Sequence, residues 1–237
     1  MTEPLFYRDP YQRANEAQVI SVTEAGIVLD ASVFYPAGGG QPGDAGSLRT
    51  ADGREIAIVD TRKGEQPGEI VQVPAPGSIS PQVGERVMAT IDWERRHRHM
   101  RIHTCLHLLS AVVPAGVTGG SIGAQSGRLD FDLPDRLLDK EEVAAGLNRL
   151  IEAGHAVNPS WISAEELRDR PELVKTMSVK PPMGSGRVRL LEIPGVDLQA
   201  CGGTHVANTR EIGRVIVTKI EKKSTHNRRV VVAFAEG

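Results

Sequence analysis

Two short segments of the chain carry ligand-type side chains at spacings that suit a single metal ion. His103-Thr104-Cys105-Leu106-His107 sets two imidazoles four residues apart. On an α-helix, residues i and i+4 share a face, so His103 and His107 can grip one ion. Cys201-Gly202-Gly203-Thr204-His205 adds a thiolate and a third imidazole. One Cys with three His is a borderline-soft N/S donor set, which suits tetrahedral Zn²⁺. Either segment alone is weak, since paired helical histidines and a CxxxH in a glycine loop are both common. Together they agree in ligand type, number and geometry. Cys105 is excluded from the set, because two helical residues turn a side chain about 200° away. It is expected to be a buried free thiol.

Four protein ligands can close the tetrahedron, so ligand count alone favours a structural ion. A zinc peptidase of the HExxH kind is disfavoured, because Thr104 stands where the glutamate base would be. No Asp or Glu flanks the ligands as an obvious general base. Asp197 is the nearest acid before Cys201, and a turn at Gly195-Val196-Asp197 is the plainer reading of it.

The elements that must hold these ligands are legible in outline. Residues 92–112, DWERRHRHMRIHTCLHLLSAV, show helical apolar spacing through Met100, Ile102, Leu106, Leu109 and Val112, with Asp92 as N-cap. Residues 139–156 predict a second, amphipathic helix that opens on acidic residues. Ser163-Ala-Glu-Glu166 is a capping box for a short third helix. After Pro181-Pro182 the pattern turns to strands: RVRLLEI, the CGGTH loop, RVIVTKIEKK and RRVVVAFA. Residues from about Gln18 to Asp92 read as short β-branched runs split by Gly- and Pro-rich turns, including Glu24-Ala-Gly26 and Ala51-Asp-Gly53. That spacing suggests a small barrel. The expected fold class is therefore α+β: a small N-terminal β-barrel domain over 1–89, then an α+β zinc-binding domain over 90–237, joined near Gly84–Asp92.

Two further features bear on ligands. Phe34-Tyr-Pro-Ala-Gly38-Gly39-Gly40-Gln41-Pro-Gly-Asp44-Ala-Gly46 contains three consecutive glycines, which let backbone approach a ligand and expose N–H donors. Composition alone favours a long barrel turn there. Gln41 can read a hydroxyl or a carbonyl, and Asp44 can cap the loop. Between Arg210 and Arg229 stand seven basic and two acidic side chains, with Arg228 and Arg229 beside an expected turn at Ser224–Asn227. Arg95, Arg96, Arg98 and Arg101 form another run. Such clusters are usually solvated faces, but two of them flanking a metal site suit a phosphate backbone.

Bulk properties set the frame. A chain of 237 residues that is 40% hydrophobic and 24% charged can bury a core. The formal net charge of -2 excludes a global basic field, so any nucleic-acid surface is local. Two cysteines argue against a disulfide framework and for a reducing, cytoplasmic setting that leaves Cys201 free for metal. No signal peptide and no membrane-spanning apolar run is apparent.

FYPAGGGQPGDAG, HTCLHLL and CGGTHV resemble the AlaX-type alanyl-tRNA editing proteins, free-standing relatives of the alanyl-tRNA synthetase editing domain. The resemblance runs from about Phe34 to Arg229. HxxxH with CGGTHV is shared by this group and the threonyl-tRNA synthetase editing domain, and the glycine stretch narrows it to the longer type with an N-terminal barrel. The resemblance implies Zn²⁺ on His103, His107, Cys201 and His205, and hydrolysis of the ester joining a wrong amino acid, chiefly serine, to alanine tRNA. It places the glycine loop near the aminoacyl end. Gly38, Gly39, Gly40, Gln41, Asp44, Arg228 and Arg229 are then the expected substrate contacts, with Gln41 and Thr104 expected to take part in catalysis. Leu106 stands where the synthetase domains commonly carry threonine, so a hydroxyl at that position is lacking. The competing expectations are a non-catalytic zinc-stabilised RNA-binding module, and a deacylase of another mischarged tRNA such as serine on threonine tRNA. No stable protein partner is implied.

Overall fold

The computed structural model describes residues 1–134, 137–175 and 186–235. The chain folds as two compact units. One comprises Met1–Gly38 and Pro42–His97, the other Gly39–Gln41 and Arg98–Gly237.

The first unit is built on strands β1 (Glu3–Pro4), β2 (Ala14–Thr23), β3 (Gly26–Leu29), β4 (Ala31–Ser32), β5 (Gly46–Thr50), β6 (Glu55–Lys63), β7 (Ile70–Pro74) and β8 (Arg86–Ile91). Six of them close a barrel in the order β2-β3-β7-β6-β5-β8, while β1 and β4 pair in parallel. The expected barrel is therefore present. Its strands alternate: Ala17 and Val19 of β2, Ile56 and Ile58 of β6, and Val87, Ala89 and Ile91 of β8 are buried between exposed neighbours. Period-two burial of this kind fills the interior of a small barrel with side chains. Turns fall where Gly and Asp allow them. Gly53, at a left-handed φ of 90°, donates its N–H to the Thr50 carbonyl.

This unit also buries an ion pair. Arg96 and Asp44 have side chains with 0% exposure. The Arg96 Nε lies 3.0 and 2.9 Å from the two Asp44 carboxylate oxygens, and its Nη2 also meets Oδ2. The remaining guanidinium donors reach the carbonyls of Pro10 and Val33, and Asp44 accepts from the Tyr35 N–H at 2.6 Å.

In the second unit, helix α1 (Trp93–Val112, counted here from Arg98) is buried almost all round, through Met100, Ile102, Cys105, Leu108 and Leu109 on one side and His103 and His107 on another. A helix apolar or satisfied on every face belongs inside a domain. An antiparallel sheet joins β9 (Gly116–Ile122), β10 (Ser126–Asp132), β14 (Val215–Lys222) and β15 (Asn227–Phe234) in the order β14-β15-β10-β9. A Cβ on Gly127 would sit 2.5 Å from the Ile102 side chain, so glycine is what lets β10 lie against α1. Helix α2 (Lys140–Ala153) is capped by Asp139 and ends on left-handed Gly154. A second sheet orders β11 (Asn158–Ser163), β12 (Arg187–Ile193) and β13 (Asp197–Ala200) in sequence, with the short helix α3 (Ala164–Asp169) opened by the Ser163–Glu166 capping box. Strands β9, β10, β11 and β13 had no counterpart in the sequence reading, since glycine, proline and charged residues break their alternation. The Pro181-Pro182 break lies outside the described residues.

Candidate metal centre

The two ligand segments come together. His103, His107, Cys201 and His205 each offer one donor atom, and these atoms all lie within 4.8 Å of one another. Helix α1 supplies the two histidines on one face, one turn apart. Strand β13 delivers the CGGTH loop. The Cys201 Sγ is 3.5 Å from His103 Nε2 and 3.2 Å from His205 Nε2. Four donors on one tetrahedral zinc stand roughly 3.3–3.8 Å apart, given bonds of 2.0–2.3 Å. The two Cys201 distances lie close to that range, and the group as a whole, within 4.8 Å, is somewhat wider.

The tautomers fit as well. The Gln41 Oε1 accepts from the Thr204 backbone N–H at 3.1 Å, which fixes it as the amide oxygen, and it lies 3.0 Å from His103 Nδ1. His103 therefore carries its proton on Nδ1. His107 Nδ1 is 2.9 Å from the Asp197 carboxylate, an acceptor. The Thr104 hydroxyl donates to the Met100 carbonyl at 2.9 Å, leaving its lone pair for the Nδ1–H of His205 at 3.1 Å. All three Nδ1 atoms are thus donors, which leaves the three Nε2 atoms to face the Cys201 sulfur. Metal-binding histidines are held in this way, by an outer acceptor that fixes the ring.

Electrostatics supply the thiolate and set a proton against the ion at His107. Burial opposes ionisation of the Cys201 thiol, but the three imidazoles hold its pKa well below the ordinary thiol value. Burial pushes His107 down, yet Cys201 and Asp197 together raise it to about 9. Burial and the neighbouring His103 hold His205 well below the usual imidazole value. Cys105 behaves differently. It is fully buried, with its thiol pushed up to about 12 by burial, and it lies outside the donor group.

The loop that carries Cys201 is clamped. Arg189, 3% exposed on β12, donates to the carbonyls of Cys201 at 3.0 Å and Gly203 at 2.9 Å. A Cβ on Gly203 would meet His103 Cε1 at 2.2 Å and Nδ1 at 2.4 Å. Only glycine lets the backbone pass the imidazole.

The other residues singled out by sequence fall in several places. Gly38 accepts from the Tyr35 hydroxyl at 3.0 Å. Gly39 and Gly40 have left-handed φ angles of 59° and 83°, and the Gly40 carbonyl accepts from the Ile122 N–H at 2.9 Å. Gln41 is 2% exposed and sits behind His103, its amide N–H donating to Thr204 at 2.8 Å. Thr104 is fully buried behind His205. Asp44 is committed to Arg96. Arg228 donates to the carbonyls of Ser224, Asn227 and Pro134, and Arg229 pairs with Asp130 at 2.7 and 2.9 Å.

Asp197 departs from its sequence reading. The turn ends at Val196, and Asp197 opens β13 with its side chain on His107. Its signal was the alternation Asp197, Gln199, Cys201, which puts all three on one face of a strand. Arg189 was also signalled, as a charged residue between Val188 and Leu190 in β12.

Family models match two stretches of the chain: that of the threonyl and alanyl tRNA synthetase second additional domain over residues 188–231, and that of the class II (A) tRNA synthetases over residues 7–95. The first contains two of the four candidate donors, Cys201 and His205. It is 38% identical to the alanyl-tRNA editing protein AlaX-M of Methanosarcina acetivorans, across 97% of this chain and 98% of that protein. It is 36% identical to AlaX-M of Saccharolobus solfataricus, across 97% and 98%, and 33% identical to the longer AlaX-L of Pyrococcus horikoshii, across 94% of this chain and 56% of that one. The chain belongs to the AlaX-M family of alanyl-tRNA editing proteins.

Proposed function

We propose that this protein is a trans-acting aminoacyl-tRNA deacylase that removes serine from mischarged alanine tRNA in the cytoplasm, with Zn²⁺ resident on His103, His107, Cys201 and His205. One observation carries the reading: three imidazoles with outer nitrogens bound gather their inner nitrogens with one cysteine sulfur, in a chain matched along 97% of its length by an alanyl-tRNA editing protein. Residues 1–89 are assigned as the barrel domain and 90–237 as the editing domain.

The reaction breaks the ester between the seryl carbonyl carbon and a ribose oxygen of the terminal adenosine. Water gives its hydroxyl to the carbonyl carbon and its proton to the ribose oxygen, releasing serine and free tRNA. The bound ion supplies Lewis acidity at this centre. The protein's own contribution is positional. Gln41, Asp197 and Thr104 hold the three rings, and Arg189 with Gly203 holds the thiolate loop. Gln41 and Thr104 act on the reaction through His103 and His205, because their polar atoms are already engaged with those rings. The glycine loop at Gly38–Gly40, left-handed at Gly39 and Gly40, is assigned to the aminoacyl end. Discrimination against alanine follows from the serine hydroxyl, since a polar site loses its partner when that group is missing.

The test incubates the purified, zinc-loaded protein with seryl- and alanyl-forms of alanine tRNA and follows ester loss. Rapid loss of serine with alanine spared is expected. Equal loss of both overturns the specificity. Retention of both esters by a protein that still binds tRNA reduces it to a zinc-stabilised RNA-binding module, and serine lost only from threonine tRNA reassigns the substrate.

A further inference from the structure

The three histidine partners differ in charge. Gln41 is an amide, Thr104 a hydroxyl, and Asp197 a carboxylate. Asp197 is also the most firmly held. Its side chain has 0% exposure, and its Oδ2 takes both the Nδ1–H of His107 at 2.9 Å and the Gln199 amide at 2.6 Å. Its Oδ1 faces Lys175 Nζ at 2.5 Å. Gln199 in turn reaches the Ser110 hydroxyl at 3.3 Å, one turn beyond His107 on α1. A buried carboxylate is costly unless it is paired and hydrogen-bonded. Here both oxygens are paired, so an anion is kept in the protein interior beside one ring of the donor set.

We infer that Asp197 is a positioning residue that sets the metal affinity of the centre through His107, with Lys175 and Gln199 holding the carboxylate in place. This inference rests on the zinc reading above. A carboxylate accepting from the outer nitrogen of a ligating imidazole fixes its tautomer and orientation and makes its other nitrogen a stronger donor. Amide and hydroxyl partners fix the ring without adding a charge. The His107 arm is therefore the one on which the centre's affinity depends most, and it alone of the three has a buried carboxylate, paired with a partly exposed lysine.

Two substitutions separate the effects. Asp197→Asn keeps an acceptor oxygen of the same shape and loses the charge. Asp197→Ala loses both. Metal-free full-length protein would be titrated with Zn²⁺ in competition with a chromophoric chelator, and with Co²⁺ while its visible spectrum is recorded. The expected result is a loss of zinc affinity on the order of tenfold for Asp197→Asn and a hundredfold for Asp197→Ala, with altered Co²⁺ bands in both. A purely structural role would lower the melting temperature of the metal-free protein and leave affinity and bands unchanged. Wild-type affinity and spectrum in the two folded variants overturn the inference. Should Asp197→Ala fail to fold, the isosteric Asn variant decides alone. Wild-type protein that takes up no stoichiometric zinc overturns the metal reading itself, which the variants' behaviour does not.

Discussion

At Gly203 a single hydrogen atom determines whether the donor set can form. The Cβ of an alanine would fall 2.2 Å from one His103 ring atom and 2.9 Å from the Gln41 amide oxygen. Neither neighbour can yield, since the ring is bound to Gln41 and the amide to Thr204. Gly203→Ala is therefore expected to displace His103 and remove zinc from the purified protein. Far-UV circular dichroism should remain close to wild type, because α1 is anchored by its buried leucines. Metal analysis alongside the spectrum checks this, and full zinc occupancy contradicts it. The four candidate donors were legible in the sequence, because i,i+4 spacing and CxxxH are local patterns, and the fold gathers them. Their partners were not. Gln41 meets a histidine 62 positions away and Thr104 one 101 away, and such pairings exist only once the chain has folded. Gln41 and Thr104 were marked as catalytic for their chemistry; the fold engages that chemistry in holding rings.

Among the elements, the barrel and helices were legible where a period ran unbroken. Strands β2, β6 and β8 alternate cleanly, and α2 and α3 carry their caps in sequence. Strands β9 and β10 were hidden because GVTGGSI lacks side chains to alternate and SGRLDFD buries charge. Asp130 of β10, 9% exposed, pairs with Arg229 of β15 and Arg128. Burial pushes its carboxyl up, but the two guanidinium groups prevail and hold it below the usual value. A carboxylate depressed on folding contributes stability above its unfolded pKa of about 4, and that stability is lost as pH falls through the folded value. Asp130→Asn should therefore be less stable than wild type at neutral pH, with the gap narrowing below about pH 4. Denaturant midpoints across that range measure it, and a constant gap contradicts it. In the barrel unit the buried Arg96–Asp44 pair makes a stronger demand. Arg96→Met leaves a buried carboxylate without its cation and should cost about 3–5 kcal/mol. Adding Asp44→Asn should recover part of that loss. Denaturation of the two single variants and the double variant tests the coupling, and strict additivity would rule it out.

For the molecule as a whole, a net charge of -2 conceals local neutralisation. Much of the basic run from Arg210 to Arg229 is engaged: Lys219 and Lys223 face Glu221, Arg229 faces Asp130, and Arg228 holds backbone carbonyls. Much of that run is thus paired within the fold, and the second unit holds the donor group that could take a metal ion. All four donors belong to that unit, as do the residues that hold them. An ion that binds only the folded state stabilises it by RT ln(1 + [L]/Kd), about 4 kcal/mol at a thousandfold excess over Kd. Chelation should therefore lower the melting temperature. It should also act locally, because the donors tie α1 to the loop after β13. Amide exchange is expected to accelerate in residues 98–113 and 197–206 when zinc is removed, and to stay unchanged in the barrel strands β2, β6 and β8. Equal acceleration in both units would mean that the ion supports the whole chain. No acceleration anywhere would mean that hydrogen bonds among the apo side chains already hold the cluster, and that the ion is there for chemistry alone.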